Sequence, residues 1–227
     1  DFSGVQPWVL KERNIRSRSN QTILTFSFQI EEIPESIALA METSDRFTIQ
    51  INGETIDFSP GRWFIDRRCR VLNLEDHVVT GKNTITASTD YLWDTEISPP
   101  HIFGKFELGP ASEGFPIRKA GETLNTGDWC EQGYPFYAGT IVYTMDFSIE
   151  KEDGVRYELD MTGAKGTVFS VTVNDKSAGV IPFAPYRGDI TEALVNGDNT
   201  LEIEVAGSLK NAFHSRIDPE SGNEVEN

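Results

Sequence analysis

The feature that most constrains the fold is a repeat of one strand pattern along the chain. Residues 72–85 align without gaps on residues 188–201, and both copies lead through a short turn to a Gly-x-Asn-Thr corner and a strand. With the strands before it, the repeat has a period of about 120 residues, which is far longer than a solenoid unit. It therefore predicts duplication of a whole domain, and 227 residues suffice for two domains.

Apolar and polar residues alternate in both halves. Residues 24–30 and 141–149 carry apolar side chains at every second position, and other alternating runs end at an Asn-Gly pair at 52–53 and an Asn-Asp pair at 174–175. Such alternation is typical of half-buried antiparallel strands joined by tight turns. The expected fold is all-β, with two tandem antiparallel sandwiches.

A cluster of turn-forming residues at 108–114 predicts the domain boundary. We expect a first domain at residues 1–110, a second at 111–217 and a loose acidic tail at 218–227. Because the junction is short, the two domains are expected to pack against each other. The first residue is Asp rather than Met, which favours a piece of a longer polypeptide.

The charge balance excludes several classes of partner. The chain has 36 acidic and 20 basic residues and a formal net charge of −16, so it repels phosphate backbones and anionic lipid. No apolar run approaches the roughly 18 residues that a membrane span needs. The two cysteines, Cys69 and Cys130, have no metal-binding spacing, which predicts free thiols and no zinc site.

Several short strings carry a resemblance to a known family. Residues 129–139, W-C-E-Q-G-Y-P-F-Y-A-G, resemble the segment that opens a C-terminal β-sandwich in large bacterial glycosidases, and G-S-L-K-N at 207–211 is similar to the string that closes it. The strings V-T-V-N-D at 171–175, D-I-T at 189–191 and G-D-N-T-L at 197–201 resemble the core of galactose-binding-like jelly rolls. Such jelly rolls occur in family 2 glycosidases and in family 106 rhamnosidase-like hydrolases.

The resemblance covers nearly all of residues 114–216 and, more weakly, residues 21–108. It implies two tandem antiparallel jelly-roll sandwiches of the galactose-binding-like type. In one respect the chain departs from the family, because Asn211 is followed by A-F-H-S-R where relatives usually continue with L-L-G-P-H-H. Any contact that this turn makes with a catalytic domain in relatives is therefore expected to be altered here.

The resemblance also implies a function. The chain has neither the length nor the βα alternation of a (β/α)8 catalytic barrel, so we expect a non-catalytic accessory region of a secreted or periplasmic glycoside hydrolase. Its partner would be the catalytic domain of the same polypeptide, which it would brace or whose substrate cleft it would border. The alternative is an autonomous carbohydrate-binding module for a plant or host glycan, and a third hypothesis is a small hydrolase or lyase.

Residue patterns for catalysis and metal binding are weak. No Gly-x-Ser-x-Gly elbow accompanies the three histidines, and close acidic pairs such as Asp128 with Glu131 are expected by chance among 36 acidic residues. We therefore predict no catalytic residue and no cofactor. The resemblance leaves a structural calcium ion possible, although no D-x-D-x-D-G loop is present.

Loop aromatic residues beside polar side chains are the candidates for sugar recognition, because aromatic rings stack on the apolar face of a pyranose. The candidate carbohydrate-binding residues are Trp63, Arg62, Arg67, Asp66, Trp93, Tyr186 and Arg187. Trp63 with Arg62 and Arg67 is the strongest group. The basic cluster of residues 62, 67, 68 and 70 is explained either by salt bridges to nearby acids or by an anionic sugar or partner.

A second set of aromatic residues is interpreted as packing. The fixed Gly and Pro spacing of residues 129–139 favours a rigid turn over an open sugar site. The candidate interdomain packing residues are Trp129, Tyr134, Phe136, Tyr137 and Asn211.

Overall fold

The computed structural model describes residues 20–57, 62–92 and 95–212. The chain divides into two compact units, and the boundary between them in the sequence lies between Gly127 and Asp128. The predicted tail at 218–227 lies outside the described residues. The described chain is built of strands, with three short 3-10 turns and one four-residue helix, α1, at Leu209–Ala212. The all-β prediction is confirmed. No helix in this described part is long and apolar enough to cross a membrane.

The described part of the first unit forms one curled sheet. Its nine strands are β1 (Asn20–Ile30), β2 (Ser36–Glu42), β3 (Thr48–Ile51), β4 (Glu54–Ile56), β5 (Trp63–Phe64), β6 (Asp66–Asn73), β7 (Gly81–Tyr91), β8 (His101–Leu108) and β9 (Ile117–Lys119), in the order β4-β3-β7-β1-β9-β8-β2-β6-β5. Leu39 of β2 shares one buried core with Ile51 of β3 and Ile85 of β7. Because these strands come from opposite halves of the sheet, the sheet folds over on itself as a sandwich does.

The described part of the second unit forms two smaller sheets. Its strands are β10 (Thr140–Ile149), β11 (Glu158–Asp160), β12 (Val168–Val173), β13 (Lys176–Ile181), β14 (Arg187–Asp189) and β15 (Gly197–Ala206), arranged as β10-β15-β12-β13 and as the pair β11-β14. Val171 of β12 and Val205 of β15 lie in the core, and Leu159 of β11 packs against them. The two-stranded sheet therefore covers one face of the four-stranded sheet.

The two units share a topology that follows the sequence repeat. The order β1-β7-β3-β4 in the first unit matches β10-β15-β12-β13 in the second, and β2-β6 corresponds to β11-β14. The first unit adds β5, β8 and β9. Ile117 of β9 pairs with Ile30 of β1 and with Leu108 of β8, so residues 111–127 belong to the first unit. The sequence places this segment in the second domain instead, because its turn residues show no long-range strand pairing.

An asparagine network recurs at the Gly-x-Asn-Thr corner of each unit. In the first unit, the Asn83 side chain is completely buried, and its Oδ1 accepts hydrogen bonds from the Val79 backbone N–H at 2.9 Å and from Asn52 Nδ2 at 2.9 Å. Its Nδ2 donates to the carbonyls of Val79 and Gly81 at 2.7 and 3.1 Å. One buried amide thus joins the corner to the turn at Asn52 and Gly53.

The second unit repeats this network with the same geometry. Asn199 Oδ1 accepts hydrogen bonds from the Val195 backbone N–H at 2.9 Å and from Asn174 Nδ2 at 2.8 Å. Asn199 Nδ2 donates to the carbonyls of Val195 and Gly197 at 3.0 and 2.8 Å. The repeat that is visible in the sequence is therefore also a repeat of individual hydrogen bonds.

Candidate functional site

The strongest candidate surface is the hairpin of residues 62–70, which we call the Trp63 hairpin. Its two strands, β5 and β6, reverse at Ile65, whose φ of 64° lies in the left-handed region. Phe64 stacks on Phe103 of β8 with ring centroids 4.5 Å apart, which anchors the hairpin to the sheet. The Trp63 side chain is 52% exposed. The hairpin therefore holds an indole ring at the surface on a fixed backbone.

The polar candidates on this hairpin differ in how they are held. Arg62 Nη1 donates to Asn73 Oδ1 at 2.8 Å, which fixes the direction of its guanidinium. Asp66 Oδ1 accepts the backbone N–H of Arg68 at 2.8 Å and stabilises the turn. Arg67 is exposed and forms no ion pair with any residue that the structure describes. The structure thus brings Arg62, Trp63, Asp66 and Arg67 onto one hairpin.

Salt bridges account for Arg68 within the same hairpin. Its guanidinium lies 3.5 Å from Glu42, 3.7 Å from Asp66 and 4.0 Å from Glu96. Three carboxylates around one guanidinium offset its charge, although exposed pairs of this kind each add little stability. The salt-bridge interpretation of the basic cluster holds for Arg68, whereas Arg62, Arg67 and Arg70 form no ion pair with any residue that the structure describes.

Two further candidates lie in the second unit and one lies outside the described residues. Tyr186 is half-buried, contacts the Phe169 ring at a centroid distance of 4.7 Å and donates its hydroxyl to the Gly166 carbonyl at 3.3 Å. Arg187 lies 2.9 Å from Asp160. Both side chains are therefore held by contacts within the second unit. Trp93 lies outside the described residues.

Sequence reasoning missed one exposed aromatic side chain close to these candidates. Phe183, between β13 and β14, is 79% exposed, whereas its neighbour Tyr186 packs on the core. The sequence pattern that could have indicated an exposed Phe183 is Pro-Phe-Ala-Pro at 182–185. Two prolines there flank an aromatic residue that fits no alternating strand pattern.

The predicted packing set forms an aromatic cluster inside the second unit. Trp129 Nε1 donates to the Tyr143 hydroxyl at 2.7 Å, and its ring meets Tyr137 edge-on at 6.2 Å. Tyr134 contacts Tyr137 at 6.1 Å, and Asn211 Nδ2 donates to the Tyr137 carbonyl at 3.3 Å. These residues close the end of the sandwich where β10 begins and β15 ends. Phe136 is 46% exposed, and an interdomain role for the set stays a prediction.

The carboxyl groups with a shifted pKa are held in their ionised form. Hydrogen bonds lower the pKa of each carboxyl below its ordinary range, and the pairs of carboxyl and donor are Glu31 with Arg118, Glu35 with Lys105, Asp160 with Thr162, and Asp189 with Thr191. The carboxyl group that acts as the general acid of a glycosidase needs the opposite shift, to a raised pKa. These four carboxyls therefore serve structure rather than proton donation.

These lowered pKa values predict loss of stability in acid. A carboxyl whose pKa is lower in the folded chain contributes stability that is present above the unfolded pKa and is lost as pH falls through the folded pKa. We expect the midpoint of urea unfolding to fall as the pH drops below about 4. The double variant Glu31→Gln and Glu35→Gln should show a shallower fall. An equal acid response in both proteins would contradict the assignment.

The described residues hold no group of three or more His, Cys, Asp or Glu side chains that could bind a metal ion. Burial raises the pKa of the Cys69 and Cys130 thiols, and both are free. The structural calcium ion suggested by the resemblance stays a prediction. Thermal unfolding with calcium and with EDTA tests it.

Comparison with known proteins relates part of the chain to glycosidases. No family model matches the chain. Over 83 residues it is 30% identical to a β-glucuronidase homologue from Formosa agariphila, and this match covers 35% of the chain and 7% of that protein.

Two solved structures are also similar. The α-L-rhamnosidase of Streptomyces avermitilis, complexed with L-rhamnose, matches 84% of this chain over 22% of its own length, with 16% identity and a TM-score of 0.35. A rhamnosidase from Novosphingobium sp. PP1Y matches 90% over 22% of its length, with 18% identity and a TM-score of 0.34. The chain spans a small part of each of these proteins. On the sequence match, it is related to a short segment of a glycoside hydrolase homologue.

Proposed function

We propose that this chain is a non-catalytic accessory region of a large glycoside hydrolase, made of two galactose-binding-like sandwiches. The observation that carries the proposal is the match to a β-glucuronidase homologue, because it covers only 7% of that protein and leaves room for a separate catalytic domain. The partner is the catalytic domain of the same polypeptide. A secreted or periplasmic location follows from the proposed action on a glycan.

Exposed aromatic side chains on fixed turns support a packing role. Trp63, Phe136 and Phe183 are 52%, 46% and 79% exposed, although each lies close to residues that are firmly packed. Aromatic residues are enriched at protein interfaces because they bury a large apolar area with little loss of conformational entropy. Such side chains suit contacts that brace a catalytic domain or border its cleft.

Two measurements test the accessory role. The reading frame that encodes the chain is expected to encode a (β/α)8 barrel as well, and a frame without any catalytic domain would contradict the proposal. The purified chain is expected to leave 4-nitrophenyl α-L-rhamnopyranoside and 4-nitrophenyl β-D-glucuronide intact. Turnover above a heat-denatured control would show that the chain is itself an enzyme.

A second candidate function is autonomous carbohydrate binding by the Trp63 hairpin. It is favoured by the half-exposed Trp63 on the same hairpin as Arg62, which Asn73 orients, and Arg67, which is exposed and forms no ion pair with any described residue. An exposed indole ring can stack on a sugar, and guanidinium groups on the same hairpin can donate to its hydroxyls. The same arrangement also suits a sugar carboxylate, because arginine can bind it in bidentate fashion.

Replacing Trp63 with Ala is expected to weaken saccharide binding at this hairpin by about tenfold or more, since stacking contributes about 0.5–1.5 kcal/mol beyond the buried area. Isothermal titration with galactoside, rhamnoside and plant oligosaccharides measures the effect. Tyr91→Ala is a matched control, because Tyr91 is an exposed aromatic residue at the end of β7. Equal affinity in the wild-type chain and in Trp63→Ala would remove the hairpin as a binding site.

A further inference from the structure

Two asparagines of the chain are followed directly by glycine, and such pairs are chemically labile. They are Asn52, before Gly53, and Asn196, before Gly197. The backbone nitrogen of the following residue can attack the asparagine side chain at Cγ, and glycine, which has no Cβ atom, hinders this attack least. The reaction converts asparagine into a cyclic succinimide and then into aspartate or isoaspartate. Each pair is therefore a candidate site of spontaneous deamidation.

The first pair is locked by the hydrogen-bond network of its unit. Asn52 Nδ2 donates to the His77 carbonyl and to Asn83 Oδ1, both at 2.9 Å, and Asn52 Oδ1 accepts the Thr84 backbone N–H at 2.9 Å. Asn83 itself is completely buried. Turning the Asn52 amide towards the Gly53 nitrogen would break all three hydrogen bonds. The corner must therefore open before this pair can react.

The second pair is held much more loosely. Asn196 is exposed, and its Oδ1 accepts the Lys151 backbone N–H at 2.9 Å. Its Nδ2 forms no hydrogen bond with any residue that the structure describes. Gly197 follows with a φ of 95°, which glycine adopts without strain. The nitrogen that leaves in deamidation is therefore not retained by a described partner.

The hydrogen bond that Asn196 does accept favours the reaction. When the Gly197 nitrogen attacks Cγ, negative charge develops on Oδ1, to which the Lys151 backbone N–H already donates. A backbone donor held at an oxygen that gains charge in the transition state lowers the barrier. Lys151 is itself fixed, because its Nζ donates to the carbonyls of Thr191 and Leu194 at 2.8 and 3.0 Å. The site thus stabilises the developing charge and leaves the departing nitrogen free.

The internal repeat provides a natural comparison for this site. In the gapless alignment of residues 72–85 with residues 188–201, Thr80 takes the place of Asn196. The glycines that follow, Gly81 and Gly197, have the same backbone conformation, with φ of 99° and 95°. Threonine has no side-chain amide, so this corner of the first unit cannot undergo the reaction. Threonine is therefore a suitable control residue at position 196.

Deamidation at Asn196 would act on the buried network of the second unit. Asn199 accepts the Val195 backbone N–H and donates to the carbonyls of Val195 and Gly197, at 2.8–3.0 Å. These bonds span position 196. Isoaspartate carries the main chain through Cβ and Cγ and so adds one carbon atom between Val195 and Gly197. The Asn199 side chain cannot then keep its contacts on both sides of the lengthened segment.

We infer that Asn196 is a site of spontaneous deamidation and that its isoaspartate product opens the Asn199 corner of the second unit. The Gly197 nitrogen forms a bond to Asn196 Cγ, the Cγ–Nδ2 bond breaks, and the departing nitrogen takes up the Gly197 amide proton and leaves as ammonia. Water then opens the succinimide, at Cγ to give aspartate or at the main-chain carbonyl carbon to give isoaspartate. Water is the co-reactant, and the inference is independent of the accessory role.

The experiment is ageing of the full chain in mildly alkaline buffer, below its unfolding temperature. Peptide mapping by mass spectrometry, with chromatography that separates aspartate from isoaspartate, measures both sites. In the folded chain Asn196 is expected to deamidate at least about tenfold faster than Asn52, because Asn52 reacts only after local opening. In concentrated urea, where neither network persists, the two rates are expected to agree within about threefold.

Two variants separate the reaction from its consequence. Asn196→Thr introduces the residue of the first unit and is expected to abolish deamidation at this position. Asn196→Asp carries the charge of the product on an unaltered main chain, and it should unfold at the same urea concentration as the fresh wild-type chain. The isoaspartyl fraction, purified from the aged chain, is expected to have an unfolding constant at least about tenfold larger, because buried hydrogen bonds are lost.

Two outcomes would overturn the inference. If the folded chain deamidates at Asn52 as fast as at Asn196, the hydrogen bonds do not select the site. If the isoaspartyl fraction unfolds at the same urea concentration as Asn196→Asp, the corner tolerates the added atom and the proposed consequence is wrong. The accessory role would stand in either case, because it rests on the sequence match and the parent reading frame.

Discussion

Replacing Asn199 with Ala is expected to destabilise the second unit by about 3 kcal/mol. The side chain is 2% exposed and makes four hydrogen bonds, two accepted and two donated. Alanine would leave the Val195 N–H, two carbonyls and the Asn174 amide without these partners in a buried corner. Each unsatisfied buried polar group costs about 1–3 kcal/mol, and local relaxation recovers part of the sum. Denaturant unfolding measures the change.

Two comparisons make this result specific. Asn83→Ala in the first unit removes the equivalent network and should destabilise that unit by a similar amount. Asn196→Ala is the matched control, because Asn196 is exposed and accepts one hydrogen bond, from the Lys151 backbone. We expect this control to lose less than about 1 kcal/mol. Equal losses in Asn199→Ala and Asn196→Ala would contradict the importance of the buried network.

Replacing Gly104 with Ala is expected to destabilise the first unit by about 3 kcal/mol or more. Gly104 pairs with Ile37 across β8 and β2, and an added Cβ atom would lie 2.2 Å from the Ser36 carbonyl oxygen. The neighbouring atoms belong to backbone, so they cannot move away as a flexible side chain would. The strands must separate at a point where Ile37 is completely buried in the core. Hydrogen exchange of the β2 amides and denaturant unfolding both report this change.

Gly121→Ala is the matched control for this substitution. An added Cβ atom there would meet Glu107 Oε2 at 3.6 Å and the Thr123 carbonyl oxygen at 3.8 Å, which are ordinary contacts. We expect a change of less than about 0.5 kcal/mol. If Gly104→Ala were as stable as Gly121→Ala, the close approach of β8 to β2 would not be as the structure shows it.

The candidate sites were only partly predictable. Trp63 stands out in the sequence because it lies among arginines in a stretch that is expected to be a loop. The structure places it in β5 instead and leaves it half exposed. Tyr186 has the same kind of sequence context, yet it packs on Phe169. A loop aromatic residue is buried or exposed according to what the rest of the fold places beside it, and local sequence does not contain that information.

The acidic loops between β1 and β2 and between β10 and β11 show the same limit more sharply. Glu152 and Asp153 are ordinary acidic loop residues in the sequence, as Glu31 and Glu35 are. Their difference comes from strands β8 and β9, which bring Lys105 and Arg118 to the first loop from more than 60 residues away in the chain. Pairing over such distances depends on strand order, which period-two alternation cannot provide.

The sequence by itself determined the all-β class, the two repeated strand patterns and the corners at Asn83 and Asn199, because alternation and turn chemistry are local properties of the chain. Only the tertiary structure decided that β9 joins the first unit and that the two asparagines are buried network centres. Each of these depends on contacts between residues distant in sequence, whose free energy appears only once the sheets have formed.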